Sequence, residues 1–204
     1  MSGPEVLRFA ANLYRVPLGE GYFLVDAGLP WEARRLLGLL KAPPKLLFLT
    51  HHHLDHAGGA RALWERFGLP VLAHPQEWPY LTGEKPRPPL PIPLLGRRLA
   101  NLGPPLPREA LRPAEEGEGV FGWRVVALPG HTLGQVGLLK EGVLLAGDAL
   151  GRGGLPPRFI NEDDALARRT VRRILDLGVA RVYPGHGGPL DREEVEALAR
   201  RLGV

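Results

Sequence analysis

From Leu46 to Gly59 the chain reads LLFLTHHHLDHAGG. The apolar run Leu46 to Leu49 is too short for a helix and reads as a buried strand. Behind Thr50 stand His51, His53, Asp55 and His56, all metal-ligand side chains, and Gly58-Gly59 allow a tight loop. In extended chain, residues two apart point the same way. His51 and His53 are thereby expected to share one ion, with His52 turned elsewhere. Asp55 and His56 follow where the loop bends toward a helix, and are expected to face a second ion.

A sequence so organised must end its strands where ligands converge. On the N-terminal side, Glu5 to Phe9, Leu13 to Val16 and Tyr22 to Asp26 read as strands around the turn Pro17 to Gly21. The third runs into Val25-Asp26-Ala27-Gly28; a carboxylate there marks either an active-site edge or a turn cap. Pro30 to Leu40 and Ala60 to Phe67 read as helices, and Val71 to Ala73 as a short strand ending at His74. After Phe121, strands are expected at Trp123 to Leu128, Val136 to Leu139, Val143 to Ala146 and Ala180 to Tyr183. A helix is expected on the stripe Leu166, Thr170, Val171, Ile174, Leu175, with Asn161 to Asp164 offering capping oxygens. A last helix starts at Asp191, where Glu194 completes a capping box. Arg168, Arg169, Arg172 and Arg173 fall on the opposite face of the Leu166 stripe and read as a solvated surface.

Residues 75–119 differ from the rest. They hold half of the 22 prolines and cannot form a regular sheet. With Leu90, Ile92, Leu94, Leu95, Leu99, Leu102 and Leu106 to bury, the segment is expected to be a substrate-facing flap with a short helix near Leu94 to Leu102. His74, Trp78 and Tyr80 are candidates to line the pocket. The 204 residues are expected to form one domain, 1–204, carrying this insertion.

Composition narrows the chemistry. The chain has no cysteine and its only serine is Ser2, which excludes thiolate sites and argues against a serine triad. A hydrolase built from this chain needs water as nucleophile, and water needs activation. No basic run precedes an apolar one in MSGPEVLRFA, and no apolar stretch approaches about 18 residues. A cytoplasmic location without membrane contact is the expectation. The net charge of +4 and a basic side dominated by arginine fit a heat-adapted or GC-rich organism better than nucleic-acid binding. The expected partner is a small, possibly anionic molecule; nucleic acid is not, and the oligomeric state is open.

Three further ligand-type residues, His131, Asp148 and His186, each follow an apolar run beside Gly or Pro. A sheet ending its strands at one edge would gather them with the first cluster. His131 would give the first ion a third imidazole, His186 would complete the second, and Asp148 has two oxygens with which to bridge. Neutral imidazole with carboxylate suits Zn2+, with Fe or Mn as alternatives.

T-H-x-H-x-D-H at 50–56, G-H-T at 130–132, G-D at 147–148 and G-H at 185–186, with V-D-A-G at 25–28, resemble the metallo-β-lactamase superfamily. Within it, LPGHTLGQVGLL and AGDAL are similar to the glyoxalase II-like branch. The resemblance implies an α/β fold, a four-layer αββα sandwich, with Asp148 bridging and Asp26 supporting the ligands from behind. It implies a hydrolase in which a hydroxide between two divalent ions attacks an ester, thioester or lactone-like bond, Asp55 serving as ligand and proton acceptor. The chain departs from glyoxalase II in having only 18 residues after His186. Keeping both Asp55 and Asp148 argues against β-lactam hydrolysis. The alternative the resemblance leaves open is a mononuclear iron persulfide dioxygenase using His51, His131 and Asp148; a phosphodiesterase or nucleic-acid-binding member ranks below it.

Overall fold

A computed structural model describes residues 3–88 and 94–204. Leu90 and Ile92 of the proline-rich segment lie outside them. The chain divides after Pro113 into two units, 1–113 and 114–204.

The first unit is a six-stranded sheet in sequential order. Strands β1 (Glu5–Arg8), β2 (Asn12–Pro17) and β3 (Tyr22–Val25) are antiparallel, as expected of strands joined by tight turns. β4 (Leu47–Phe48), β5 (Val71–Ala73) and β6 (Leu111–Pro113) then add in parallel. Helix α1 (Ala33–Leu39) leads into β4, and α2 (Leu54–Ala57) and α3 (Ala60–Phe67) connect β4 to β5. Leu24, Leu36, Leu47, Leu49 and Leu63 are fully buried in one cluster. Gly68, at positive φ, ends α3.

The proline-rich segment departs from expectation at its end. It contributes α4 (Trp78–Leu81) and α5 (Gly96–Ala100), but also β6, a strand on the sheet edge. Pro113 is the last residue of this edge strand, a position where a missing N–H is tolerated.

The second unit holds the other six strands, β7 (Gly119–Val120), β8 (Trp123–Ala127), β9 (Val136–Lys140), β10 (Val143–Gly147), β11 (Arg181–Pro184) and β12 (Leu190–Asp191). All pairings are antiparallel except β10 with β11, which are joined through α6 (Asp164–Asp176). Asp163 caps α6 by accepting from Leu166 N–H, and its buried face is the stripe Thr170, Val171, Ile174, Leu175. Helix α7 (Arg192–Leu202) opens on the Asp191/Glu194 capping box and closes at Gly203 with positive φ. Three of the α6 arginines are engaged: Arg168 with Asp164, Arg172 with Asp176, and Arg173 with Glu116 and the Ala127 carbonyl.

The strand ends beside the candidate ligands and Asp26 therefore do not share one sheet: β3 and β4 belong to the first sheet, β8, β10 and β11 to the second. Among the described residues, no helix is long and apolar enough to cross a membrane.

Gly130, just after β8, shows why the second set of loops is fixed. Its φ is +133°, and a Cβ there would sit 2.3 Å from the Ala167 nitrogen of α6. Backbone strain and overlap each cost about 1–3 kcal/mol. Gly130→Ala is expected to lower the free energy of unfolding by about 3 kcal/mol in urea titration; a loss below about 1 kcal/mol would show that this close approach is not required.

Candidate metal centre

Asp26 is the first residue after β3 and is 1% exposed. Its φ is +63°, the left-handed region that Asp adopts more readily than most side chains. The conformation turns its carboxylate toward the end of β4. Oδ1 accepts the Thr50 amide at 2.9 Å, the Thr50 hydroxyl lies 2.9 Å from Oδ2, and His56 Nδ1 lies 2.7 Å from Oδ2. Backbone bonds complete the seam: Ala27 N–H donates to His56 C=O and Gly59 N–H to Gly28 C=O. A Cβ on Gly59 would lie 2.3 Å from the Ala27 carbonyl oxygen, so glycine is required there.

These contacts fix proton positions. The single Thr50 hydroxyl proton goes to the Asp26 carboxylate. The same oxygen lies 3.0 Å from His51 Nδ1, so it accepts there and His51 is protonated at Nδ1. His56 likewise gives its Nδ1 proton to Asp26. Both rings carry their lone pair on Nε2, the state a metal-ligating histidine adopts. The ligand atoms of His51 and His53 lie within 4.8 Å of each other, as do those of His51 and His56. Asp55 Oδ2 is 3.7 Å from His56 Nε2, and its side chain is 31% exposed.

His52 lies among these residues but faces elsewhere. Its ring is fully buried, stacks on Tyr80 with centroids 4.1 Å apart, and sets Nδ1 2.5 Å from Glu77. The three pocket candidates have local engagements. His74 caps the 3-10 turn at Pro75–Glu77 by accepting from Gln76 N–H. The Trp78 indole N–H donates to the Ala73 carbonyl, and Tyr80 is the stacking partner of His52.

In the second unit, His131 follows Gly130 and is 1% exposed. Its Nδ1 is 3.1 Å from Asn161 Oδ1, while the Asn161 amide nitrogen donates to Pro156 C=O and Asp164 Oδ1. The Asn161 orientation is thus set by its own donors, and its oxygen accepts the His131 Nδ1 proton. The Arg168 guanidinium hydrogen-bonded to Asp164 holds that carboxyl below its usual pKa, which keeps it an acceptor for Asn161. Asp148 follows β10 and is 8% exposed. Its Oδ2 lies 3.6 Å from His131 Nε2 and 3.5 Å from His186 Nε2. Two donors on one tetrahedral ion at about 2.0–2.1 Å stand about 3.4 Å apart, so each of these separations suits a shared ion. Imidazole nitrogens with carboxylate oxygens fit Zn2+, Fe or Mn.

Sequence reasoning did not assign Thr50, Glu77, Arg87 or Asn161 to the site. Thr50 lay within the motif and Asn161 was legible as a capping candidate. No local signal pairs Glu77 or Arg87 with residue 52.

Residues 7–186 match the family described as the metallo-beta-lactamase superfamily. The chain is 29% identical to the probable metallo-hydrolase YflN of Bacillus subtilis (strain 168), covering 94% of this chain and 88% of that protein. It is 33% identical to a hydroxyacylglutathione hydrolase of Anaeromyxobacter dehalogenans (strain 2CP-C) over 85% of this chain, which spans 60% of that protein's length. Among solved structures, TTHA1623 in a di-iron-bound form matches at 34% identity and a TM-score of 0.77, covering 96% of this chain and 97% of that one. The BLEG-1 B3 metallo-beta-lactamase matches at 25% identity and a TM-score of 0.81, covering 98% and 100%. Two mixed sheets with their helices constitute the α/β fold of this type. The His and Asp groups are candidates to hold divalent metal ions.

Asparagine also tolerates positive φ, so Asp26→Asn isolates the hydrogen bonds from the backbone strain. It sets an NH2 group against a donor of Thr50 or His56. The metal-free variant is expected to lose about 2–3 kcal/mol of stability in chemical denaturation. A change below about 0.5 kcal/mol would show that the Asp26 contacts do not hold the loop.

Proposed function

The chain belongs to the metallo-β-lactamase superfamily, and from that premise we propose that it is a binuclear metal-dependent hydrolase of the glyoxalase II-like kind, cleaving an ester, thioester or lactone-like bond of a small molecule. The observation that carries the reading is Asp148, whose one oxygen is almost equally distant from His131 and His186. A carboxylate so held suits a ligand common to two ions. On this reading His51, His53 and His131 hold the first ion, Asp55, His56 and His186 the second, and Asp148 both. Zn2+ is the proposed metal, with Fe or Mn compatible with the same donors.

When bound, the two ions supply a water acidified toward a pKa of about 7 and an electrophile for the substrate carbonyl. The protein's part is to hold the rings. Asp26 and Asn161 keep the Nδ1 protons of His56 and His131 engaged, and Thr50 does so for His51. On this reading Asp55, more exposed than the buried histidines, would take up a proton and pass it outward. The absence of cysteine, with serine only at Ser2, removes the two commonest side-chain nucleophiles and supports water in that role.

Elemental analysis of the purified protein is expected to give two ions per chain, and Asp148→Ala to lose most of them. Chelation and Asp148→Ala are each expected to lower kcat/KM by more than about 100-fold. The panel should include S-lactoylglutathione, other thioesters, lactones, phosphodiesters and, given the B3 likeness, a chromogenic β-lactam. Turnover of the β-lactam alone would overturn the substrate reading. One iron per chain with oxygen uptake on glutathione persulfide would replace hydrolysis by the dioxygenase alternative.

A further inference from the structure

Leu49 N–H still donates to Leu72 C=O of β5, but beyond Leu49 the backbone leaves its ladder while carrying two candidate ligands. The peptide groups of this stretch are met by side chains instead. Thr50 N–H goes to Asp26, His52 N–H goes to Glu77 Oε2 at 2.8 Å, and His52 C=O accepts from Arg87 Nε at 2.7 Å. The same Glu77 oxygen stands 2.5 Å from His52 Nδ1. Glu77 is 1% exposed, Arg87 6% and His52 fully buried. An anion on one side of residue 52 and a cation on the other grip a single residue, and burial of that cation lowers its pKa to about 10. The His52 ring is closed off by Tyr80, and its Nε2 has no hydrogen-bond partner among the described residues. Fixing His52 toward Glu77 sets the course of the backbone that carries His51 and His53, whose ring centroids are 4.7 Å apart, and the His52 ring itself packs edge-on against His53 at 4.9 Å.

We propose that Glu77 is a positioning residue for the metal centre: through His52, and opposed by Arg87, it sets the direction in which His51 and His53 present their nitrogens. The inference rests on the reading that these two histidines ligate a metal. It also gives the proline-rich segment a second duty. Arg87 and Asn101 both belong to it, and Asn101 pairs with the Arg87 backbone through its amide in both directions. A Cβ on Gly103 would meet Leu54, next to His53, at 3.0 Å. The described part of the segment is thus a buttress behind the ligand loop.

Two variants separate the clamp from mere bulk. Glu77→Leu fills the space without an acceptor; Glu77→Gln keeps an acceptor oxygen and removes the charge that strengthens both bonds. The full-length metal-free protein is titrated with Co2+ against a chromogenic chelator, and the visible bands of the Co2+ form are recorded, with circular dichroism to verify folding. Glu77→Leu is expected to weaken retention of the tighter ion by about 10–100-fold and to shift the bands. Glu77→Gln is expected to lie between it and wild type, at about 3–10-fold with a smaller shift. Should Glu77→Leu not fold, Glu77→Gln decides alone. Wild-type protein that takes up no Co2+ refutes the metal reading and this inference with it. Wild-type protein that binds two ions, while folded variants match it in affinity and spectrum, refutes the clamp and leaves the binuclear reading standing.

Discussion

The Asp26 carboxylate is the joint on which the first unit turns. Burying a carboxylate is costly unless donors replace its water. Here three donors do so: the Thr50 amide, the Thr50 hydroxyl and His56 Nδ1. The same bonds serve those donors, which sit past the end of β4 where no strand partner remains. Asp26 also accepts backbone strain, with φ at +63°, to aim its oxygens at them. The contact is therefore at once a strand-end cap, a tautomer lock on His51 and His56, and the link between β3 and β4 beyond their ladder. No weaker acceptor in that position satisfies all three donors.

The second unit solves the same problem with a neutral group. His131 hands its Nδ1 proton to the Asn161 amide oxygen. An amide is ambiguous until its nitrogen is committed, and Pro156 C=O and the Asp164 carboxylate commit it. The surrounding loop is laced to the start of α6, where Glu162 and Asp163 N–H donate to the carbonyls of His131 and Gly130 and the Thr170 hydroxyl donates to Pro129 C=O. Gly130 permits that close approach. The His51–His56 and His131 loops thus each lean on a neighbouring element through a polar side chain outside the candidate ligand set.

Much of this was legible in the sequence, and the limit has a physical cause. The candidate ligands are announced by their setting: an apolar run, then His or Asp beside Gly or Pro. Long amphipathic helices such as α6 and α7 announce themselves by period and cap. The supports do not, because their meaning lies in partners far along the chain. Asp26 and Thr50 are 24 residues apart, Glu77 and His52 25, and Arg87 and His52 35. Three of the shortest strands, β6, β7 and β12, were invisible for the same reason: neighbours decide them, not local alternation. The assignment of the strand ends to two sheets was likewise beyond pattern, since alternation reports a buried face and not the sheet that owns it.

The prolines around Arg87 illustrate how a stretch that looks like a loop can serve as a wall. Arg87 stands between Pro86 and Pro88. Neither flanking residue has an N–H, so packing this backbone against a buried loop leaves fewer donors to satisfy. The amide that Arg87 does have is taken by Asn101, which returns a bond to the Arg87 carbonyl and so acts in place of a strand partner. A residue before proline is disfavoured in the helical region, which biases Arg87 toward extended backbone before any tertiary contact forms. Its guanidinium then reaches the His52 carbonyl with less conformational freedom to lose. A proline-rich composition, which at first suggests mobility over a substrate, is equally what rigid support of a metal loop requires.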